Sequence, residues 1–333
     1  MFRTSVVVVL LLSLPACVHN TGRNGFAYYV AGDPDDIVTE TSGFVVLQGG
    51  GDDIDANYVR MGEKSGGGDF VVLRASGADE YNQYILNLCN CDSVETIVFT
   101  SRDDAYNAFV IGKIRHAEAL FIAGGDQSNY LRFWKGTPVE DAINFVAAKP
   151  APIGGTSAGM AILGEFSYSA MSPASLTSAR ALANPYNEDL TLDRDFLHLP
   201  GLANIITDQH LIEHDRIGRT VTMLARLLTD GWTQDARAIA ADRETAVHLD
   251  PESGDVRIFS TAEHETPYVY FIESSVLPET CKEDQPLSMH DISVYRLAPG
   301  ASFNLRSWSG AGGTAYQFDV TGGHLSSSRG ALY

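Results

Sequence analysis

The segment Gly155-Thr156-Ser157-Ala158-Gly159 carries the pattern G-x-S-x-G, and the apolar run Met160-Ala161-Ile162-Leu163 follows it. Small residues around a serine let the chain turn sharply from strand to helix, which presents the hydroxyl at the carboxyl edge of a sheet. The chemistry this points to is attack on an acyl carbon. The N–H of Ala158, at the helix start, is then the natural donor to an oxyanion. Such a serine needs a base. His210, one of nine histidines, closes the run Ile205-Ile206-Thr207-Asp208-Gln209-His210. A polar cluster at the end of an apolar strand is where open α/β sheets place their sites. The plain alternatives are a structural glycine-rich turn and a structural imidazole.

Two further groups could bind a substrate. Arg216 and Arg219 are three residues apart and share one face of a helix that runs on through Val221, Leu224, Leu227 and Leu228. They read either as a solvated basic edge or as a carboxylate clamp, since guanidinium meets carboxylate through a bidentate fork. Gly124-Gly125-Asp126-Gln127 follows another apolar run. Its glycines permit close backbone approach, and Gln127 offers both a donor and an acceptor. Taken alone, that segment is a tight turn.

The elements that must hold these residues are legible as apolar runs. Phe44–Leu47, Phe70–Leu73, Thr96–Phe99 and Ala119–Ile122 are continuous rather than alternating, as expected of strands covered on both faces of a parallel sheet. The spacers admit crossover helices, for instance Asp103 to Ala117. Thr137-Pro138-Val139-Glu140 predicts a helix start, with Thr137 as N-cap, Pro138 in the first turn and Glu140 closing a capping box; Lys149-Pro150 stops that helix. Beyond residue 254 the runs Tyr268–Ile272, Ile292–Leu297 and Ala315–Val320 read as strands. The expected organisation is a signal segment over 1–16, an extended lead-in over 17–42, an α/β catalytic domain over 43–253 and a β-rich extension over 254–333.

The 333 residues carry 23 Lys and Arg against 42 Asp and Glu, a formal charge of −19, with 44% hydrophobic residues. That is a globular composition, and its acidity argues against binding the nucleic-acid backbone. It is compatible with a cationic substrate or with simple solubility. At the N-terminus, Met1-Phe2-Arg3, the apolar run Val6 to Leu12 and Leu14-Pro15-Ala16-Cys17 resemble a bacterial lipoprotein signal. The expectation is export with lipid on Cys17; secretion with cleavage nearby is the alternative. No later apolar stretch is long enough to span a bilayer as a helix. Cys89, Cys91 and Cys281 then remain, enough for at most one internal bridge. The Cys89-x-Cys91 spacing is not that of a zinc knuckle, so neither a metal site nor a disulfide scaffold is expected.

Taken together and in order, Gly124-Gly125-Asp126-Gln127, Gly154–Gly159 and Asp208-Gln209-His210 with Arg216 and Arg219 resemble the cyanophycinases and related aspartyl-cleaving serine peptidases. The resemblance runs from about residue 45 to 250, ending near Asp242-Arg243-Glu244-Thr245-Ala246. It implies a class I glutamine-amidotransferase-like α/β fold and hydrolysis of peptide bonds involving aspartate. Cyanophycinases cut a poly-aspartate polymer bearing arginine on each side chain and release β-aspartyl-arginine dipeptides. Carried over, Ser157 is the nucleophile and His210 its base. Gly125 and Ala158 supply the oxyanion donors, and Gln127, Asp208, Gln209, Arg216 and Arg219 bind substrate. The mechanism is acyl transfer through an ester, with no metal or organic cofactor.

The pattern also departs from the family. Leu211 replaces a phenylalanine, and His214 stands where the first arginine of the run is expected, which removes an always-charged fork and alters substrate preference. The acid that should orient His210 is not assigned: Glu165, Glu188, Asp189, Asp193 and Asp195 lie between the serine and the histidine, and Arg180 occupies a stretch where an acid is wanted. A lipid-anchored binding protein on a weakened hydrolase scaffold is therefore the alternative reading. A glutamine amidotransferase is disfavoured, because that chemistry needs a cysteine where this chain has Ser157.

Overall fold

A computed structural model describes residues 19–20, 25–172, 174–261 and 267–333. The signal segment and Cys17 lie outside the described residues. Five strands form the parallel centre of an 11-stranded sheet, in the spatial order Ser93–Val98, Phe70–Arg74, Ala119–Ile122, Pro152–Thr156 and Phe44–Gln48. Their continuous apolar runs are explained by what covers them. Val45, Leu47, Val71 and Leu73 enter one core cluster, while the intervening Phe44, Val46, Phe70 and Val72 enter another with Tyr58 and Ile85. Side chains of a strand alternate between faces, so a strand buried on both faces must be apolar at every position.

The segment expected as an extended lead-in contains a strand, Ala27–Gly32, which pairs antiparallel with Ser93–Val98. Its residues Tyr28 and Val30 are buried and the positions between them are less so, the pattern of a strand with one covered face. Asp103 to Ala117 divides into a 3-10 turn, Arg102–Tyr106, and a helix, Ala108–His116, because Asn107 accepts from the N–H groups of Phe109 and Val110 and restarts the helix there. The helix Pro138–Ala148 begins where expected, but without the capping box. The Glu140 carboxylate accepts from the N–H of Gly136, and the Thr137 hydroxyl donates to the Trp134 carbonyl at 2.5 Å.

The parallel sheet does not carry the whole site. Phe166–Tyr168, Ile205–Asp208 and Ala236–Ala241 run parallel in a second, eight-stranded sheet. That sheet continues antiparallel through Val269–Ser274, Met289–Leu297 and Thr314–Thr321, the three C-terminal strands expected from the sequence. Ile205, Ile239 and Phe271 enter the same core cluster as Val45 and Leu47, so the two sheets share a core. Ile206, Ala238 and Ile272 face the other way, with Val221, Leu224, Leu227 and Leu228 of the helix Ile217–Thr229. Cys89 and Cys91 are joined in a local disulfide, and Cys281 is free and buried. Among the described residues no helix is long and apolar enough to cross a membrane.

Candidate active site

Ser157 sits at the carboxyl end of Pro152–Thr156, a strand flanked by parallel neighbours on both sides. Its φ of 52° and ψ of −116° lie where a non-glycine residue costs about 1–3 kcal/mol, so the surrounding packing must hold it. Its N–H donates to the Gln48 carbonyl at 3.0 Å, and the short helix Ala158–Ala161 starts at once. The flanking glycines have a steric reason. A Cβ on Gly159 would lie 2.0 Å from the Ile122 carbonyl oxygen, and one on Gly155 would lie 2.7 Å from the Gly159 carbonyl carbon. Only glycines let the helix start fold back onto the strand ends this tightly.

His210 comes from the second sheet, two residues past the strand Ile205–Asp208. Its Nε2 is 2.9 Å from Ser157 Oγ. The backbone turns into the left-handed region here (φ 48°), and the His210 N–H donates to the Gly49 carbonyl at 2.9 Å, which ties this residue to the first sheet. Gly50 makes the approach possible: a Cβ there would be 2.2 Å from Nε2. On the other side of the ring, Nδ1 is 2.7 Å from Glu213 Oε2. An ionised carboxylate can only accept, so Nδ1 must carry the proton and the neutral ring presents a lone pair at Nε2 to the serine hydroxyl. Glu213 is thus the orienting acid, and it lies after the histidine rather than before it. The earlier acids are engaged elsewhere: Asp189 with Arg180 and Ser172, Asp193 with Lys135, and Glu165 with the N–H of Asn204.

The turn that carries Glu213 is pinned from three directions. Asp242 Oδ1 accepts from the N–H of Ile212 at 3.1 Å, the Ser178 hydroxyl donates to the Asp215 carbonyl at 2.5 Å, and the Tyr333 hydroxyl donates to Asp215 Oδ1 at 2.7 Å. Arg243 Nη1 stands 3.4 Å from the second Glu213 oxygen. Burial holds the His210 imidazole below its ordinary pKa, against the opposing pull of its Glu213 hydrogen bond. That same bond holds the Glu213 carboxyl below the usual range. At neutral pH the relay is therefore set as carboxylate, neutral imidazole and hydroxyl, the state required for general-base activation.

The serine and histidine open into a cleft of about 440 Å³ whose walls include Gly125, Gln127, Arg132, Gln209, His214 and Arg216. Gly124 is in contact range of Ser157, a Cβ there falling 3.5 Å from the serine Cβ, and Gly125 (φ 149°) follows. Ala158 occupies the first helical position, where no earlier turn supplies a carbonyl for its N–H. Gln127 Nε2 donates to the Tyr168 carbonyl at 3.3 Å, which fixes its side chain in the wall. Arg216 Nη1 donates to the carbonyl and the Oε1 of Gln209, at 2.9 and 2.8 Å, while its Nε is buried with no partner. Among the described residues no carboxylate pairs with Arg216. Burial and the neighbouring Arg219 push its pKa down to about 10, so it remains a cation at neutral pH.

Two residues expected to touch substrate are not on the cleft wall. Asp208 and Arg219 are almost fully buried and pair with each other. Arg219 Nε is 3.2 Å from Asp208 Oδ2, which also accepts from the Thr220 hydroxyl at 2.8 Å. The pair fixes the strand end against the helix start, beneath Gln209 and Arg216. The expected two-arginine clamp is therefore one open guanidinium above one closed ion pair, because Arg219 points into the core while Arg216 precedes the helix as its N-cap. The residues missed from sequence are Glu213, Gly50, Asp242 and Arg132. Of these only Glu213 had a local signal, an acid three residues beyond the histidine, which falls within reach on one helical turn. The same turn brings one ligating atom each of His210, Glu213 and His214 within 4.8 Å of one another, a grouping that suits a transition metal.

The profile of peptidase family S51 matches residues 78–183, a segment that contains Gly124–Gln127 and Ser157 but stops short of His210. The cyanophycinases of Synechococcus elongatus and Thermosynechococcus vestitus are each 21% identical over 221 residues, covering 64% of this chain. The chain spans 61% of the length of these curated relatives. Among solved structures, a peptidase from an acI-B1 Actinobacterium superposes with a TM-score of 0.52 at 14% identity, covering 80% of this chain and 98% of that one. That likeness places the chain in the class I glutamine-amidotransferase-like fold, with a mostly parallel core and a β-rich C-terminal region. By its sequence motifs, its matched segment and its fold, the chain resembles the S51 peptidases, the cyanophycinases among them.

Proposed function

We propose that this protein is an exported serine peptidase that hydrolyses cyanophycin or related aspartyl peptides through an acyl-enzyme, held at the membrane by lipid on Cys17. The observation that carries the hydrolase reading is the unbroken line from Glu213 Oε2 through His210 to Ser157 Oγ, with contacts of 2.7 and 2.9 Å at the edge of an open cleft. In the first half-reaction Ser157 Oγ attacks the scissile carbonyl as Nε2 takes its proton, and Glu213 stabilises the imidazolium that forms. The N–H groups of Ala158 and Gly125 receive the oxyanion, an interaction worth about 3–4 kcal/mol per donor in comparable sites. Collapse expels the amine, which takes the proton back from Nε2. Water, activated by the same nitrogen, then cleaves the ester and restores the serine.

The substrate class is supported by the unpaired Arg216. A half-buried guanidinium on the cleft wall with no carboxylate of its own is a receptor for a substrate carboxylate, with Gln127 and Gln209 beside it for the polar remainder. A β-aspartyl-arginine unit brings free carboxylates to such a cleft. The resemblance to cyanophycinases points the same way.

The test is release of β-aspartyl-arginine from purified cyanophycin by the protein and by Ser157→Ala. Release by the parent, with at least a thousandfold loss in the variant, is the expected result. Folded parent protein that cleaves neither cyanophycin nor a panel of aspartyl peptides would overturn the proposal.

A further inference from the structure

The histidine that serves Ser157 is also one corner of a cluster that the hydrolytic mechanism does not use in full. His210, Glu213 and His214 each place a ligating atom within 4.8 Å of the other two. Glu213 Oε2 is central, 2.7 Å from His210 Nδ1 and 3.9 Å from His214 Nε2. Tetrahedral zinc, with bonds of about 2.0–2.1 Å to nitrogen and oxygen, sets its ligands about 3.3 Å apart, so the three atoms need only small side-chain rotations to close on one ion. His214 is half exposed (49%) and the Glu213 side chain is a third exposed, so an ion reaches them from solvent and a water can complete the coordination. Two imidazole nitrogens select a borderline-soft ion such as Zn²⁺ over Mg²⁺ or Ca²⁺, which prefer oxygen.

We infer that His210, Glu213 and His214 form an inhibitory site for Zn²⁺ or a similar transition-metal ion, distinct in role from the peptidase chemistry and mutually exclusive with it. In the active relay, Nδ1 carries the proton and Nε2 the lone pair. Zn²⁺ takes the Nδ1 lone pair, and the proton from Nδ1 relocates through solvent to Nε2. The ring stays neutral and no net proton is released. Nε2–H then faces Ser157 Oγ as a donor and has no lone pair left to accept the serine proton. Glu213, now a metal ligand, no longer orients the ring. Arg243, 3.4 Å from the other Glu213 oxygen, opposes the ion by like charge and keeps the site weak enough to empty. The inhibitory consequence rests on the Ser157–His210 reading above; the binding itself does not.

Two measurements on the purified, chelator-treated full chain separate these statements. Zinc is titrated in competition with a chromogenic zinc indicator, and the rate at which a fluorophosphonate probe labels Ser157 is followed with and without Zn²⁺. The expected result is one ion per chain, weakened at least tenfold in both His214→Ala and His214→Gln and tightened in Arg243→Ala. Saturating Zn²⁺ should slow labelling at least tenfold in the parent, with a chelator restoring it and equal Mg²⁺ leaving it unchanged. Equal zinc affinity in the parent and both His214 variants would overturn the site. Bound zinc that leaves the labelling rate unchanged would overturn the inhibition. If Ser157 fails to label even without metal, the hydrolase reading fails, and the indicator titration still decides the site.

Discussion

Glutamine at position 213 keeps the shape of the side chain and an oxygen that can accept from His210 Nδ1, but it removes the charge that stabilises the imidazolium. Glu213→Gln should therefore lower kcat by about 10²–10⁴-fold with little change in KM, measured with a chelator present. The pH profile separates this role from mere packing. His210 must be neutral to act, so kcat/KM rises with pH through its pKa, and burial sets that limb below the ordinary histidine value of about 6.5. Glu213 pulls the value up, so its loss should move the limb further toward acid. A variant with unchanged kcat and an unmoved limb would remove Glu213 from the relay. Gly50 works by absence. With a Cβ 2.2 Å from Nε2 and a φ of 102°, Gly50→Ala should displace the ring and cost about 100-fold in kcat/KM. Normal Ser157 labelling by a fluorophosphonate in that variant would refute the steric argument.

Among the elements, the turn 210–216 belongs to no helix or strand, and His210 and Asp215 both adopt left-handed φ, so its geometry depends on what grips it. Tyr333 grips from the far end of the chain: its hydroxyl donates to Asp215 and accepts from the N–H of Ile217 at 3.3 Å. Tyr333→Phe should lower kcat several-fold, leave KM near its parent value and cost about 1 kcal/mol in stability. A loss confined to stability would make Tyr333 a structural residue only. This dependence on distant contacts explains what the sequence could and could not reveal. The central strands were legible because two-sided burial forces unbroken apolar runs such as Phe70–Leu73 and Ala119–Ile122. Ser157 was legible because its elbow needs glycine at fixed offsets. Ala27–Gly32 was missed because its short run Ala-Tyr-Tyr-Val-Ala-Gly lies in a segment otherwise scattered with Gly, Asp and Thr, and one-sided burial leaves it no long apolar signature. Arg219 was misread as a ligand because a buried ion pair and an open clamp share one pattern of residue types, and only the packing of Asp208 beneath it tells them apart. Gly50 meets His210 across the junction of two sheets, and Asp242 holds the N–H of Ile212 from the end of the neighbouring strand, proximities that no local spacing encodes.

For the molecule as a whole, the formal charge is −19, and the two ends of the parallel sheet differ in the charged groups they carry. At the carboxyl edge the cleft wall carries Arg132 and Arg216 beside a single carboxylate, Asp126. At the opposite, amino edge, Asp69, Glu95 and Glu118 are buried together, with Lys113 2.8 Å from Glu95 and the Asp69 N–H 3.0 Å from Glu118 Oε2. Burial raises the Glu118 carboxyl to about 7; the Asp69 backbone bond opposes this and the Asp69 charge adds to it. A raised carboxyl binds its proton more tightly in the folded chain than in the unfolded one. Below about pH 4.5 both states are protonated and the group is neutral to stability. Between that value and about 7 only the folded chain keeps the proton, so stability must fall as pH rises and level off above. Self-repulsion of a strongly acidic chain gives a slope of the same sign, so the parent alone does not isolate Glu118. Glu118→Gln does, because the amide oxygen can still accept from Asp69 and the rest of the charge is unchanged. The urea midpoint of the parent should drop relative to that of the variant between pH 5 and 8, while turnover at the far edge of the sheet stays the same. Parallel curves for the two proteins would mean that Glu118 is ionised in the fold at no cost, and that the acidic cluster is balanced by Lys113 and the backbone alone.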